Sequence, residues 1–347
     1  MFATVAAVTC SSRLFALRLE CSTSGPPCDA LPRLFEMNQS LTLRCLFPLL
    51  SVLVVVPLSA QETKNESSKS TRKTELLWPD GAPGAGGKED GDCPELIITR
   101  VDSDVPTAAV VILPGGGYHG HAMGHEGYDF ANWFADLGIQ SAICTYRLRG
   151  KGNEGKGYGH PRPMQDAQRA IQTLRARAKE FGIDPKRIGV IGFSAGGHLC
   201  STVSTHFVLG EASAKDPIAR VSSRPDFSIL CYPVIAFDKP YTHRGSQRNL
   251  IGGDATPELI ELLSNERQVS SDTPPTFLFH TAEDKVVPAE NSLQYYLALQ
   301  RNGVSSELHI FPEGRHGVGL AGDLPGASQW PALCQSWLKR IGVIGTE

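Results

Sequence analysis

The chain has 347 residues, of which 41% are hydrophobic and 20% charged, an ordinary globular composition with room for one large α/β domain or two smaller ones. Thirty-three Lys and Arg against 36 Asp and Glu leave a net charge of −3. The basic residues are dispersed apart from a short cluster at 69–73, so nothing electrostatic points to nucleic acid.

Residues 1–36 precede a second candidate start, Met37, and show no clear amphipathic pattern. They read as an over-extended start or a longer leader. From Met37 the sequence runs MNQSLTLR, CLFPLLSVLVVVPL, SAQ. A short n-region with Arg44, an apolar core and a small-residue exit at Ser59–Ala60 predict a signal peptide over 37–60, although Leu58 departs from the A-x-A ideal. Cleavage near Ala60 would leave a secreted or periplasmic protein. The apolar run is too short and too interrupted by proline for a stable membrane span. Residues 61–75, QETKNESSKSTRKTE, are almost free of apolar side chains and predict a disordered linker.

From residue 76 to 341 strand-like and helix-like segments alternate without a long repeat. Predicted strands are Leu96–Val101, Ala108–Leu113, Gln140–Tyr146, Ile188–Ile191, Phe227–Tyr232, Thr276–His280 and Glu307–Phe311. Between them, Phe130, Trp133, Phe134 and Leu137 share a helical face, as do Ala167, Ala170, Ile171 and Leu174 in 166–180. Ala289–Asn302 predicts another helix with Gly303 as its cap, and Trp330–Arg340 closes the chain. Strands alternating with helices predict one α/β domain, a mostly parallel sheet covered on both faces. Among the nine cysteines there is no CxxC pair, which removes zinc-ribbon and thioredoxin readings. Cys144, Cys200 and Cys231 lie in apolar elements and read as buried, whereas a Cys93–Cys334 disulfide is compatible with export but not required.

Functional residues in parallel sheets gather in loops at the carboxyl ends of strands, and three such loops carry chemistry here. GFSAGGH (192–198) places Ser194 in a G-x-S-x-G turn between a strand and a helix, the pattern of a nucleophile elbow. HTAEDKVVP follows the 276–280 strand and offers Asp284, with Glu283 and Glu290 as alternatives. FPEGRHGVGL follows the 307–311 strand and offers His316, whereas His280 and His309 lie within strand runs. A serine hydroxyl needs an imidazole to take its proton, and the imidazole needs a carboxylate to hold its tautomer. The oxyanion formed by attack on an ester needs N–H donors, expected from Ala195 and from Gly115, Gly116 and Gly117 of VILPGGGYH. No GK[ST] or dinucleotide fingerprint assigns that glycine loop to phosphate. His119, His121 and His125 with Glu126 raise a metal site, but zinc also needs a convergent fourth group, and a loop lining the acyl pocket is the preferred reading. KGNEGKGYGHPRP (151–163) reads as a mobile loop beside the site or a long connection.

Taken together, LWPDGAPGA, PGGGY with HEG, YRL, HPRPMQDAQRAI, RIGVIGFSAGGHL, RPDFSILCYPVI, TPPTFLFHTAEDKVVPAENS and ELHIFPEGRHGVGL resemble the secreted bacterial α/β-hydrolases related to acetylxylan esterases and BD-FAE-type esterases. The resemblance covers nearly all of 77–340. It implies an α/β-hydrolase fold without a large cap domain, and a serine esterase acting on acyl groups of polysaccharides such as xylan. It further implies Ser194 as nucleophile, Asp284 as acid, His316 as base, and Gly116, Gly117 and Ala195 as oxyanion donors. No metal or organic cofactor is implied. The glycine loop departs from the HGGG form in having Pro114 ahead of it. Members labelled xylanase fit this constellation poorly, since a glycosidase needs two carboxylates flanking the bond. Alternatives are a feruloyl esterase, a prolyl-oligopeptidase-type peptidase for whose gating domain the chain has no room, and an inactive carbohydrate-binding relative. A lipase would want an amphipathic lid, yet residues 233–275 are largely polar with only a helix-like Pro257–Leu263.

Overall fold

The computed structural model describes residues 70–345; the predicted leader and signal segment (1–60) and residues 61–69 lie outside them. The described chain runs β1 (Ser70–Leu76), β2 (Glu95–Val101), β3 (Thr107–Leu113), α1 (Asp129–Asp136), β4 (Gln140–Cys144), α2 (Arg162–Ala176), α3 (Ala178–Phe181) and β5 (Ile183–Phe193). It continues through α4 (Ala195–Thr205), β6 (Ser228–Cys231), α5 (Arg244–Ile251), α6 (Pro257–Leu262), β7 (Thr276–Thr281), α7 (Glu290–Arg301), β8 (Ser306–Phe311) and α8 (Trp330–Arg340).

Among the described residues these eight strands form one sheet in the order β1-β2-β4-β3-β5-β6-β7-β8. β2 is antiparallel to both of its neighbours, and the pairs from β4 across to β8 are parallel. The period-2 pattern of β3 splits its side chains between two cores. Ala109, Val111 and Leu113 face one with α2, α4 and α7, whereas Ala108, Val110 and Ile112 face the other with α1 and α8. This is the helix-covered, mostly parallel sheet expected of an α/β-hydrolase. Among the described residues no helix is long and apolar enough to cross a membrane.

One expectation is corrected and two open alternatives are resolved. Residues 70–75 are not a disordered linker: they pair with β2 in register from Ser70↔Val101 to Leu76↔Glu95. Their polarity reflects an exposed edge strand, where charge blocks further strand pairing. Arg72 bonds Thr99 and Asn132, and Glu75 pairs with Arg177, so the charged side chains also tie the edge down. Residues 151–163 are a packed connection rather than a mobile loop, with Tyr158 buried and bonded to Asp92 and with His160 N–H donating to the Leu250 carbonyl. Cys93 and Cys334 are both free thiols, and Cys334 lies in the core beside Trp330 and Trp337.

Beneath the carboxyl ends of β4 and β3, a buried ion pair locks the connection into α2. The Arg147 guanidinium donates to both oxygens of Asp166 at 2.8 Å, and both side chains are fully buried. Asp166 also accepts the Trp78 indole N–H (2.9 Å) and the Arg147 backbone N–H (3.0 Å). Arg147 reaches the Pro83 carbonyl at 2.8 Å. The YRL, HPRPMQD and LWPDGAP stretches are thus parts of a single hydrogen-bonded knot.

Candidate active site

β5 ends at Phe193 and α4 begins at Ala195, leaving one residue to turn the chain. Ser194 does so with φ 53° and ψ −117°, a strained backbone for a residue with a side chain, costing on the order of 1–3 kcal/mol. The flanking glycines follow from close approach. A Cβ on Gly192 would lie 2.1 Å from the Gly196 carbonyl oxygen, and one on Gly196 would lie 2.1 Å from that of Leu113. The elbow is therefore pressed against the end of β3, which is where the glycine loop starts.

Ser194 Oγ lies 2.8 Å from His316 Nε2, and His316 Nδ1 lies 2.6 Å from Asp284 Oδ2. The carboxylate can only accept, so Nδ1 carries the proton and Nε2 presents a lone pair to the serine hydroxyl. Asp284 Oδ1 accepts the N–H groups of Val286 and Val287, each at 2.9 Å. Burial alone would raise the pKa of Asp284, but hydrogen bonds from His280, His316 and Val287 outweigh it and hold the carboxyl well below the usual range. His280 is buried behind it, donating through Nε2 to the Val287 carbonyl at 2.7 Å, with Asp284 at 3.5 Å. Of the alternative acids, Glu283 accepts the Gly314 N–H and Glu290 opens α7. His309 pairs with Glu307 on β8.

The glycine loop is pinned peptide by peptide. The Pro114 carbonyl accepts from the Tyr146 hydroxyl (2.6 Å), and the Gly115 N–H donates to Glu126 Oε2 (2.8 Å). The Gly115 carbonyl accepts from Ala122, and that of Gly116 from His119 and Gly120. The Gly117 carbonyl accepts from Asn249 Nδ2 at 2.7 Å. In a trans peptide the N–H points opposite to the preceding carbonyl. Holding the carbonyls of Gly115 and Gly116 therefore aims the N–H groups of Gly116 and Gly117 away from the 119–122 turn. Gly116 (φ +129°) and Gly117 (φ +65°) adopt conformations that side chains resist. With Gly115 engaged by Glu126, the N–H groups of Gly116 and Gly117 have no hydrogen-bond partner among the described residues and are available to an oxyanion, with that of Ala195 opening α4.

Glu126 was legible only as a member of a histidine cluster, and the structure gives it other work. Its Oε1 accepts from the Tyr232 hydroxyl (3.0 Å), whose oxygen accepts in turn from the Gly319 N–H (3.1 Å) in the His316 loop. The Tyr232 ring meets the His316 ring edge-on at 5.2 Å. Burial raises the pKa of Glu126 against the Gly115 N–H, the His125 ring and the Tyr232 hydroxyl. One buried carboxyl thus joins the glycine loop to the histidine loop. Glu126→Ala is expected to lower kcat by about tenfold or more with a smaller change in KM, because it frees the Gly115 N–H and loosens the donors beside it. Steady-state kinetics beside Glu126→Gln, which keeps an acceptor, check this: partial recovery by Gln is expected, and equal KM-dominated losses in both variants would refute it.

The three histidines of the cluster diverge. His119 is exposed beside Gly150, and His121 packs edge-on against Tyr146 at 4.6 Å. His125 approaches Glu126 at 3.6 Å. Among the described residues no three metal-ligating side chains converge. His121 lines a cavity of about 560 Å³ with Lys88, Asp90, Glu95 and Lys151, whose lining includes none of Ser194, Asp284 and His316.

A family model described as BD-FAE matches residues 97–299. The chain belongs to the BD-FAE family. Within the curated relatives it is 36% identical over 234 residues to endo-1,4-beta-xylanase B of Butyrivibrio fibrisolvens, covering 67% of this chain and 36% of that protein. It is 35% identical over 238 residues to an acetylxylan esterase of Xylanibacter ruminicola, covering 67% of this chain and 45% of that protein. The BD-FAE chain thus spans less than half the length of either relative. Among solved structures, an acetyl ester-xyloside bifunctional hydrolase from Caldicellulosiruptor lactoaceticus superposes with a TM-score of 0.72 at 42% identity, over 79% of this chain and 97% of that one.

Proposed function

We propose that this BD-FAE protein is a serine esterase that removes acetyl groups from xylan or a related polysaccharide. The observation that carries the reading is the continuous chain Asp284–His316–Ser194, at 2.6 and 2.8 Å, together with the Gly116 and Gly117 N–H groups, which have no hydrogen-bond partner among the described residues. In this reading Ser194 Oγ attacks the acetyl carbonyl carbon while its proton passes to His316 Nε2. The N–H groups of Gly116, Gly117 and Ala195 donate to the developing oxyanion, each such donor being worth roughly 3 kcal/mol in the transition state. Collapse expels the sugar oxygen, which takes the proton back from His316, and leaves acetyl-Ser194. Water, deprotonated by His316, then attacks the acyl group, acetate departs and the serine regains its proton. The names of the acetylxylan esterase relative and the acetyl ester-xyloside hydrolase neighbour support acetyl and xylose as the groups concerned. Export by a signal segment at 37–60, with cleavage near Ala60, belongs to the same proposal, and N-terminal sequencing of the secreted protein tests it.

The deciding experiment incubates the purified protein with acetylated xylan and, separately, with feruloylated arabinoxylan and a peptide amide. Acetate release is the expected result. Ferulate release alone would replace the acyl group in this reading. No release from any ester, with no labelling by a fluorophosphonate probe, would end it in favour of a binding role.

A further inference from the structure

The polar stretch between β6 and β7 lacks an apolar lid, yet its helix α5 is tied to two walls of the site. Near the start of this segment, the Tyr241 carbonyl accepts from Asn291 Nδ2 (3.1 Å) at the beginning of α7, the helix that follows the Asp284 loop. At its end, Asn249 holds the Gly117 carbonyl (2.7 Å), and the Leu250 carbonyl accepts from the His160 N–H (2.8 Å). Eight helical residues span about 12 Å. The helix therefore bridges the acid side of the site and the oxyanion loop.

The residue capping α5 is His243, half-buried at its N-terminus. Its Nδ1 accepts the Ser246 N–H (3.3 Å) and meets the Ser246 hydroxyl at 2.8 Å. A backbone N–H can only donate, so Nδ1 is unprotonated and the ring proton sits on Nε2. Nε2 has no hydrogen-bond partner among the described residues. Burial lowers the pKa of the ring, His316 lowers it further and Asp284 opposes this, in keeping with the neutral tautomer that the Ser246 N–H requires. Helix caps are ordinarily Ser, Thr, Asp or Asn, whose short side chains reach little beyond the helix end. A histidine cap satisfies the helix through Nδ1 and leaves, on the opposite edge of the ring, a donor with a fixed tautomer and no hydrogen-bond partner among the described residues.

We propose that His243 reads the sugar side of the ester, its Nε2–H donating to an oxygen of the saccharide that carries the acetyl group. The inference rests on the polysaccharide-esterase reading above. Two substitutions separate its two jobs. His243→Asn keeps a side-chain acceptor for the helix cap but is too short to reach the sugar. His243→Gln keeps the reach of the donor but weakens the cap. The experiment measures kcat/KM on an O-acetylated xylo-oligosaccharide and on p-nitrophenyl acetate, together with the melting temperature of each variant. The ratio of the two kcat/KM values is expected to fall about tenfold in His243→Asn, the worth of a lost hydrogen bond, without a matching loss of melting temperature. In His243→Gln the ratio should fall less although the protein melts earlier. A ratio that stays at the wild-type value in His243→Asn, or that follows melting temperature across the variants, overturns the role of His243 alone. A wild-type protein that turns over p-nitrophenyl acetate but not the acetylated sugar overturns the substrate reading itself, and this inference with it.

Discussion

Ser194→Ala is expected to lower kcat for ester hydrolysis by at least about 10⁴-fold, because it removes the attacking atom and the hydroxyl that lies 2.8 Å from His316 Nε2. What survives would come from the donors of Gly116, Gly117 and Ala195 and from substrate binding. The fold should persist. Ser194 Oγ is bonded to no structural group, and the backbone of residue 194 is held by its N–H to Cys231 and by its carbonyl, which accepts from His198 and Val234. The measurement pairs steady-state kinetics on a soluble acetyl ester with fluorophosphonate labelling and circular dichroism. A folded variant that turns over within tenfold of wild type would remove Ser194 from the mechanism.

Asp166→Ala is expected to destabilise the protein by about 3–5 kcal/mol, the usual cost of leaving one partner of a buried ion pair alone. The reason is local. Arg147 would keep its charge with no exposure to water and lose both carboxylate contacts, while the Trp78 indole and the Arg147 N–H would lose their acceptor. For a domain of this size the loss corresponds to roughly 10 °C in melting temperature. Exchanging both partners for apolar residues, Arg147→Met with Asp166→Leu, should cost less than Asp166→Ala alone, since no charge is then stranded. Thermal and urea unfolding of the three proteins checks this. A double variant less stable than the single one would show that the pair holds the loop by geometry that apolar packing cannot replace.

The contrast between these two sites is instructive. Ser194 was visible because its signature is local: glycines two before and two after it mark the turn, although the one at 196 is required by the Leu113 carbonyl at the end of β3. Asp284 and His316 were visible because each follows an apolar run long enough to mark a strand. Asp166 stood inside a legible helix, yet nothing around it announced that its partner was Arg147, 19 residues earlier.

The missed elements have physical causes. β1 carries charge because its outer edge meets water, and its pairing is made by backbone groups that leave no side-chain signature. α5, RGSQRNLI, has two apolar residues and buries only Ser246 and Leu250, so no helical stripe marks it. It is held instead by contacts at both ends of the segment around it.

By itself, the sequence determined strands β2–β8, helices α1, α2, α7 and α8, the elbow serine and the loops bearing Asp284 and His316. Those follow from side-chain periodicity and from turn sterics, which act over a few residues. Tertiary structure alone decided which glycine N–H groups stay free, and that Glu126 ties the glycine loop to the histidine loop through Tyr232, 106 residues away. It also decided that Asn249 grips Gly117 across 132 residues. Hydrogen bonds between distant segments depend on where the sheet brings its strand ends together, and no local pattern of residue types encodes that meeting.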